Sequence, residues 1–112
     1  FNLNFFLNDL NTARAVNEAF KKHGIDVCFH YYDNNWHYIR KWEHLKTLKS
    51  LYPIAPEIKK GLKDLEHRDF SKSDHFIGRN ISCLIKISWT TEEVHNRAKT
   101  MANCIKDVCA NS

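Results

Sequence analysis

Residues 81 to 94 constrain the fold more than any other stretch. Ile81, Cys83, Ile85, Ile87 and Trp89 share one parity, and Ser82, Lys86 and Ser88 share the other. That is the period-two alternation of a strand with one buried face, and it predicts a strand over residues 81 to 89. Thr90-Thr91-Glu92-Glu93 follows at once, with a Thr at the N-cap, a Glu three residues later, and Trp89 and Val94 placed to pack as a hydrophobic staple. A helix is therefore predicted from Thr91, its apolar stripe formed by Val94, Ala98, Met101, Ala102, Ile105, Val108 and Cys109. A half-buried strand running straight into an amphipathic helix requires a sheet with helices layered on it.

The upstream pattern agrees. Leu3, Phe5 and Leu7 alternate with Asn2 and Asn4, which predicts strand one over residues 2 to 7. Asn8, Asp9 and Asn11 are helix-capping types, and Leu10, Ala13, Val16, Ala19 and Phe20 recur at helical spacing. Lys21, Lys22, His23 and Gly24 then supply the cations and the glycine that suit a helix C-terminus. Ile25, Val27, Phe29 and Tyr31 alternate with Asp26, Cys28, His30 and Tyr32 as strand two. Asp33-Asn34-Asn35 breaks the pattern as a turn. A helix is predicted from Trp36 to Leu51, with Tyr38, Ile39, Trp42, Leu45, Leu48 and Leu51 as its stripe. Residues 53 to 73, with Pro53, Pro56 and Gly61, read as an irregular connection containing one short helix from Pro56 to Asp64. The order β-α-β-α-(α)-β-α predicts an α/β (α+β) sandwich, a small three-stranded sheet with helices packed on one face.

At 112 residues the chain can bury one core but not two, so residues 1–112 are expected to form a single compact domain. The opening run Phe1 to Leu7 is strand-like and lacks an initiator Met, the look of a piece cut from a longer protein. The net charge of +4 is scattered, Lys41, Lys46, Lys49, Lys59, Lys60 and Lys63 alternating with Glu43, Glu57, Asp64 and Glu66, so nucleic acid is not an expected partner. RNA on an open sheet would also need a row of stacking aromatics on one face, and Tyr32 alone on the polar parity of strand two does not supply it. No stretch approaches the ~20 apolar residues that span a bilayer, so no membrane association is expected. Cys28, Cys83, Cys104 and Cys109 each lie in apolar runs without a Cys-x-x-Cys, which fits reduced thiols in a cytoplasm.

His23, His30, His37 and His44 recur every seven residues, but they are spread over three elements, only His37 and His44 sharing one, whereas zinc recruits ligands in tight pairs; no metal is expected. No phosphate-cradling glycine loop, Gly-x-Ser-x-Gly or His-Glu-x-x-His is present. The chemically dense stretch is His30-Tyr31-Tyr32-Asp33-Asn34-Asn35-Trp36-His37-Tyr38-Ile39-Arg40. Amides, imidazoles and phenols can bond sugar hydroxyls, and aromatic faces can cover a ring. The position after a strand C-terminus is one where α/β folds place ligand loops. From composition alone a second reading stands beside this one, in which Tyr31, Trp36 and Tyr38 are core and Asn34-Asn35 caps a helix.

Gly24-Ile25-Asp26, then His30-Tyr31-Tyr32, then His37, resemble the small-domain signature of the DegT/DnrJ/StrS sugar aminotransferases. Ser73 to Arg79 followed by Ile81-Ser82, and then Thr90-Thr91-Glu92-Glu93-Val94, resemble that domain's closing strand and helix. The similarity covers nearly all 112 residues. It departs from the family in having Asp33-Asn34-Asn35 where members carry loop prolines, and Cys83-Leu84 where a proline follows the Ser of the last strand. The resemblance implies the C-terminal small domain of a fold-type-I, pyridoxal-phosphate-dependent enzyme that moves an amino group from glutamate to a keto-sugar. It implies a large domain in the same chain holding the cofactor and its Schiff-base lysine, a homodimer, and no catalytic residue or activity in these 112 residues alone. The substrate-binding residues it implies are His30, Tyr31, Tyr32, Asn34, Asn35, Trp36, His37 and Arg40. His37 would stand in the first turn of the following helix, and Arg40 would meet an acidic substrate group unless it pairs with Glu43. The contrasting expectation is an autonomous ferredoxin-like regulatory or ligand-binding module without chemistry.

Overall fold

The computed structural model describes residues 1–34 and 36–111, without the side chain of Glu66. The described elements are β1 (Asn2–Phe6), α1 (Leu10–Lys22), β2 (Cys28–Phe29), a 3-10 turn (Ile39–Lys41), α2 (Glu43–Lys46), α3 (Pro56–Glu66), α4 (Ser71–Arg79), β3 (Asn80–Leu84) and α5 (Thr91–Ala110). The fold is α+β. The three strands lie in the order β1-β3-β2, and β3 runs antiparallel to both neighbours, pairing Phe5 with Ile81 on one side and Cys28 with Cys83 on the other.

Alternation along the strands sorts the two faces. Leu3, Phe5, Ile81, Cys83 and Cys28 point to the side covered by α1 and α5. There Ala13, Val16 and Phe20 of α1 and Cys104 of α5 close the core with Ile81 and Cys83, joined by Leu7 and Ile25. Asn2, Asn4, Phe6, Asn80, Leu84 and Phe29 have the opposite parity.

The helix ends are set by local chemistry. Asp9 accepts from the Thr12 backbone N–H at 2.8 Å. At the other end of α1, Ile25 N–H bonds Phe20 O at 2.9 Å and Gly24 N–H bonds Lys21 O at 3.2 Å, with Gly24 at φ +72°: a Schellman motif whose hydrophobic contact is the buried pair Ile25 and Phe20. At α5, Thr90 Oγ1 accepts from Glu93 N–H at 3.2 Å while Thr90 N–H donates to Glu93 Oε2 at 2.7 Å, the expected capping box.

Several expectations are corrected. Strand two shrinks from residues 25–32 to Cys28–Phe29, because Val27 adopts φ +55° and main-chain bonds from Asp33 and Asn34 back to His30 O close a turn. Strand three ends at Leu84: Leu84 N–H reaches Val27 O and Ile85 N–H reaches Phe1 O, the ends of both neighbouring strands, and Ile87 is 89% exposed. The helix expected over residues 36–51 is broken into the 3-10 turn and the four residues of α2, Trp42 standing at ψ +82° between them and Leu48 at φ +54° after them. The connection expected to stay irregular to residue 73 gives way at Ser71 to α4 (Ser71–Arg79), a helix the sequence reading did not assign.

Nor is the chain compact. Its radius of gyration is 18.0 Å, against about 13 Å for a close-packed domain of this length. The arm made by α2 and α3, which pack mainly on each other, accounts for part of that, and Leu51 and Tyr52 between them are 98% and 80% exposed. Among the described residues no helix is long and apolar enough to cross a membrane.

Candidate functional site

The segment from His30 to Arg40 is a junction rather than a single platform, and its side chains part in three directions. His30 goes inward. Its ring is 3% exposed, with Nε2 at 2.8 Å from Gly78 O and Nδ1 at 3.0 Å from Asp33 Oδ2. Asp33 in turn takes two bonds from the Arg14 guanidinium, at 2.7 and 2.6 Å. That guanidinium holds the Asp33 carboxyl below the usual carboxylate range, against partial burial and with the His30 ring helping. Both nitrogens of His30 are spent inside the chain, so its role is to anchor the loop.

Tyr32 and Tyr38 go toward α4. Tyr32 packs near Gly78, tilts against Tyr38 with centroids 6.1 Å apart and carries Lys41 Nζ at 4.8 Å over its ring. Tyr38 is 4% exposed and donates its hydroxyl to Asp74 at 2.5 Å; burial pushes its phenol up, with Arg40 opposing. Arg40 also pairs with Asp74, so the ion pair foreseen with Glu43 is not made; Glu43 pairs with Lys46 instead. Arg40 lines a cleft of about 410 Å³ with Lys46, Arg68, Asp69 and Asp74.

Tyr31, Trp36 and His37 take the third direction, toward the face of the sheet opposite α1 and α5. Phe29 stacks on Tyr31 with centroids 6.0 Å apart and meets Trp36 edge-on at 6.2 Å. His37 stands perpendicular to Tyr31 at 4.9 Å and stacks on Trp36 at 5.0 Å. Tyr31 and His37, together with Phe6, Phe76, Ile77 and Asn80, line a cleft of about 190 Å³. Phe6, Phe76 and Trp36 are 54%, 61% and 60% exposed, so the aromatic faces stand at the surface rather than in the core. His37 lies in the bend before the 3-10 turn, not in the first turn of a helix. Asn34 accepts the Trp36 backbone N–H at 2.9 Å, a local turn bond that holds this side of the loop, and lines a separate cleft of about 290 Å³ with Arg14, Asn17 and Lys21. Asn35 lies outside the described residues.

Of the residues foreseen as binding, the fold brings together Tyr31, Trp36 and His37 and separates them from His30, Tyr32, Asn34 and Arg40. It adds three that sequence reasoning missed. Phe6 was legible as the outward parity of β1; Phe76 and Asn80 required knowing that residues 71–79 form a helix leading into β3. The row of aromatics whose lack argued against RNA is therefore present on this face. The four histidines at sevenfold spacing lie on separate segments, His23 beside Ala19 O at 2.9 Å, and among the described residues no group of three or more His, Cys, Asp or Glu side chains is placed to hold a metal ion. No family model matches the chain.

Proposed function

We propose that the chain is the C-terminal small domain of a pyridoxal-phosphate-dependent sugar aminotransferase, and that Tyr31, His37, Phe6, Phe76 and Asn80 hold the ring of its keto-sugar, with Trp36 backing His37. The observation that carries this reading is the aromatic cleft on the sheet face away from α1 and α5. Aromatic faces cover the apolar side of a sugar ring, while an imidazole and an amide bond its hydroxyls. The strand positions of that face, Asn2, Asn4, Phe6, Asn80, Ser82, Leu84 and Phe29, carry no Lys or Arg. A neutral polyol suits such a surface better than a nucleic acid, whose phosphates call for cations.

The cofactor does not fit these residues by themselves. A Schiff-base lysine is activated by desolvation or a neighbouring charge, and here every lysine is exposed except Lys41, half-buried over the Tyr32 ring. Pyridoxal phosphate and its lysine are accordingly assigned to a large domain of the same chain, and the amino donor, by the resemblance, to glutamate. The enzyme would work in the cytoplasm as a homodimer, a compartment that suits four free cysteines. What these residues contribute is binding and orientation: His37, held between Tyr31 and Trp36, presents its ring nitrogens toward a hydroxyl at the mouth of the cleft.

Steady-state kinetics of His37→Ala in the whole enzyme, with a keto-sugar acceptor and glutamate as donor, test the reading. The value of kcat/KM for the sugar is expected to fall well beyond twofold. A value within about twofold, less than ~0.5 kcal/mol of transition-state binding, overturns the site assignment.

A further inference from the structure

Cys28 and Cys83 stand directly opposite each other in the β2–β3 ladder. The bond from Leu84 N–H to Val27 O, 2.9 Å, makes Val27 and Leu84 a hydrogen-bonded pair, and the two kinds of site alternate along an antiparallel ladder. Cys28 and Cys83 therefore occupy a non-hydrogen-bonded site, where Cα atoms approach to about 4.5 Å and both side chains leave the same face. That separation lies inside the range of about 4.4–6.8 Å that disulfides span. The pairing also puts the two sulfurs on the same side of the sheet, side by side.

Their surroundings differ as a two-step oxidation requires. Cys83 is on the central strand and 5% exposed. Cys28 is on the edge strand and half-buried; both cysteines line an apolar cleft of about 140 Å³ beside Trp89 and Met101, and Cys28 alone of the two also lines the polar cleft beside Arg14 and Asn17. The Cys83 S–H favours the Cys28 thiolate and lowers its pKa; burial and Asp26 oppose, and Arg97 helps. The same pairing, with burial, pushes the Cys83 thiol up. One thiol is thus reachable and activated, and its neighbour keeps its proton.

We propose that Cys28 and Cys83 form a reversible disulfide when the protein meets a hydroperoxide. The Cys28 thiolate attacks the peroxide; an S–O bond forms as the O–O bond breaks, and the departing alkoxide or hydroxide takes up a proton. Cys28 is then a sulfenic acid. The Cys83 sulfur attacks the Cys28 sulfur, the S–S bond forms, the S–O bond breaks, and the oxygen leaves as water with the Cys83 proton. The sulfurs lose two electrons in all and the peroxide gains them; a small dithiol reverses the link by exchange. The product is a covalent staple between the edge strand and the centre of the sheet, beside the Arg14–Asp33–His30 anchor.

Differential alkylation and peptide mapping of the full-length protein after treatment with hydrogen peroxide test this. Cys28 and Cys83 are expected to leave the thiol pool together, to appear in one cross-linked peptide, and to return with dithiothreitol. In Cys83→Ser, Cys28 is expected to accumulate as a sulfenic acid that dimedone traps; in Cys28→Ser, Cys83 is expected to stay a thiol. Cys28 carried to the sulfinic acid while Cys83 remains alkylatable, cross-links through the exposed Cys109 alone, or equal oxidation of Cys83 with and without Cys28 would each overturn the proposal.

Discussion

The imidazole Nε2 of His30 lies 2.8 Å from the carbonyl oxygen of Gly78, 48 positions further along the chain. A carbonyl only accepts, so this nitrogen carries a proton. The contact ties the end of β2 to the last turn of α4, and through Asp33 and Arg14 the tie continues to α1. The most ligand-like stretch of the sequence is thus pinned by side chains whose bonding capacity is used on one another.

Replacing His30 by Ala is expected to destabilise the fold by about 2–3 kcal/mol, from the lost bonds, the uncompensated Gly78 carbonyl and the cavity left behind. His30→Phe refills most of the volume but not the bond, and should still cost about 1–3 kcal/mol. Urea unfolding of the three proteins decides the matter. If the Phe variant is as stable as the parent, the buried bond contributes nothing.

Arg14 holds the Asp33 carboxyl below its ordinary range. A group whose folded pKa is depressed adds stability at pH values above its unfolded pKa, about 4, and loses that contribution as pH falls through the folded value. The gap in Tm between the parent and Asp33→Asn should therefore be fully open near neutral pH and close on acidification below about pH 4. Asp33 is 41% exposed at its side chain, so the gap is reduced by solvent screening. Two Tm curves that stay parallel from pH 7 to 2 would remove the pair from any account of acid sensitivity.

Two glycines should respond in opposite directions. Gly24 sits at φ +72° with nothing within 4 Å of an added Cβ, so Gly24→Ala meets no clash and loses about 1 kcal/mol through backbone strain alone. At Gly78, in α4, an added Cβ would find Leu10 Cδ1 at 3.6 Å and Tyr32 Cδ2 at 3.7 Å, ordinary contact distances. Gly78→Ala is expected to be neutral or to stabilise by up to ~1 kcal/mol through helix propensity. Calorimetric melting of both variants gives the signs directly.

Thr90→Ala removes one half of the capping box at α5 and should cost about 1 kcal/mol, with Thr90→Ser nearly silent. Equal denaturant midpoints for the Ala variant and the parent would mean that the helix start is held by packing instead.

What could be read in the sequence was whatever is decided locally. The Asp9 cap, the Gly24 stop and the Thr90–Glu93 box involve residues within a few positions of each other, and α1 and α5 lie where these signals put them. Strand lengths are decided elsewhere: residues 86 to 89 continue the alternation past the last cross-strand bond, Ile85 N–H to Phe1 O, because both partner segments run out at Phe1 and Val27. The helix expected over residues 36–51 failed where a distant partner takes an aromatic, Tyr38 with Asp74 and Phe70, and where His37 turns back onto Tyr31 instead of continuing a helix. The aromatic cleft was half legible: its loop members stood out by composition, whereas Phe76 and Asn80 are brought to it by α4, whose start carries a weak local signal, Asp69 accepting from Ser71 N–H at 2.8 Å.

The strand at the centre of the sheet is the last of the three to be synthesised. Among the described residues β1 and β2 each bond to β3 alone, so until residues 80–84 have been synthesised neither strand has its partner in the sheet, and the apolar side of α1 has no sheet to lie on. Closing so long a loop costs stability little, since the entropic penalty rises only with the logarithm of length, but it slows the search, because distant contacts must be found before any of them is rewarded. Sheet and helix layer should consequently appear in one late step. A nascent chain stalled before Asn80 would present two orphan strand edges, the configuration in which unfinished chains associate with one another.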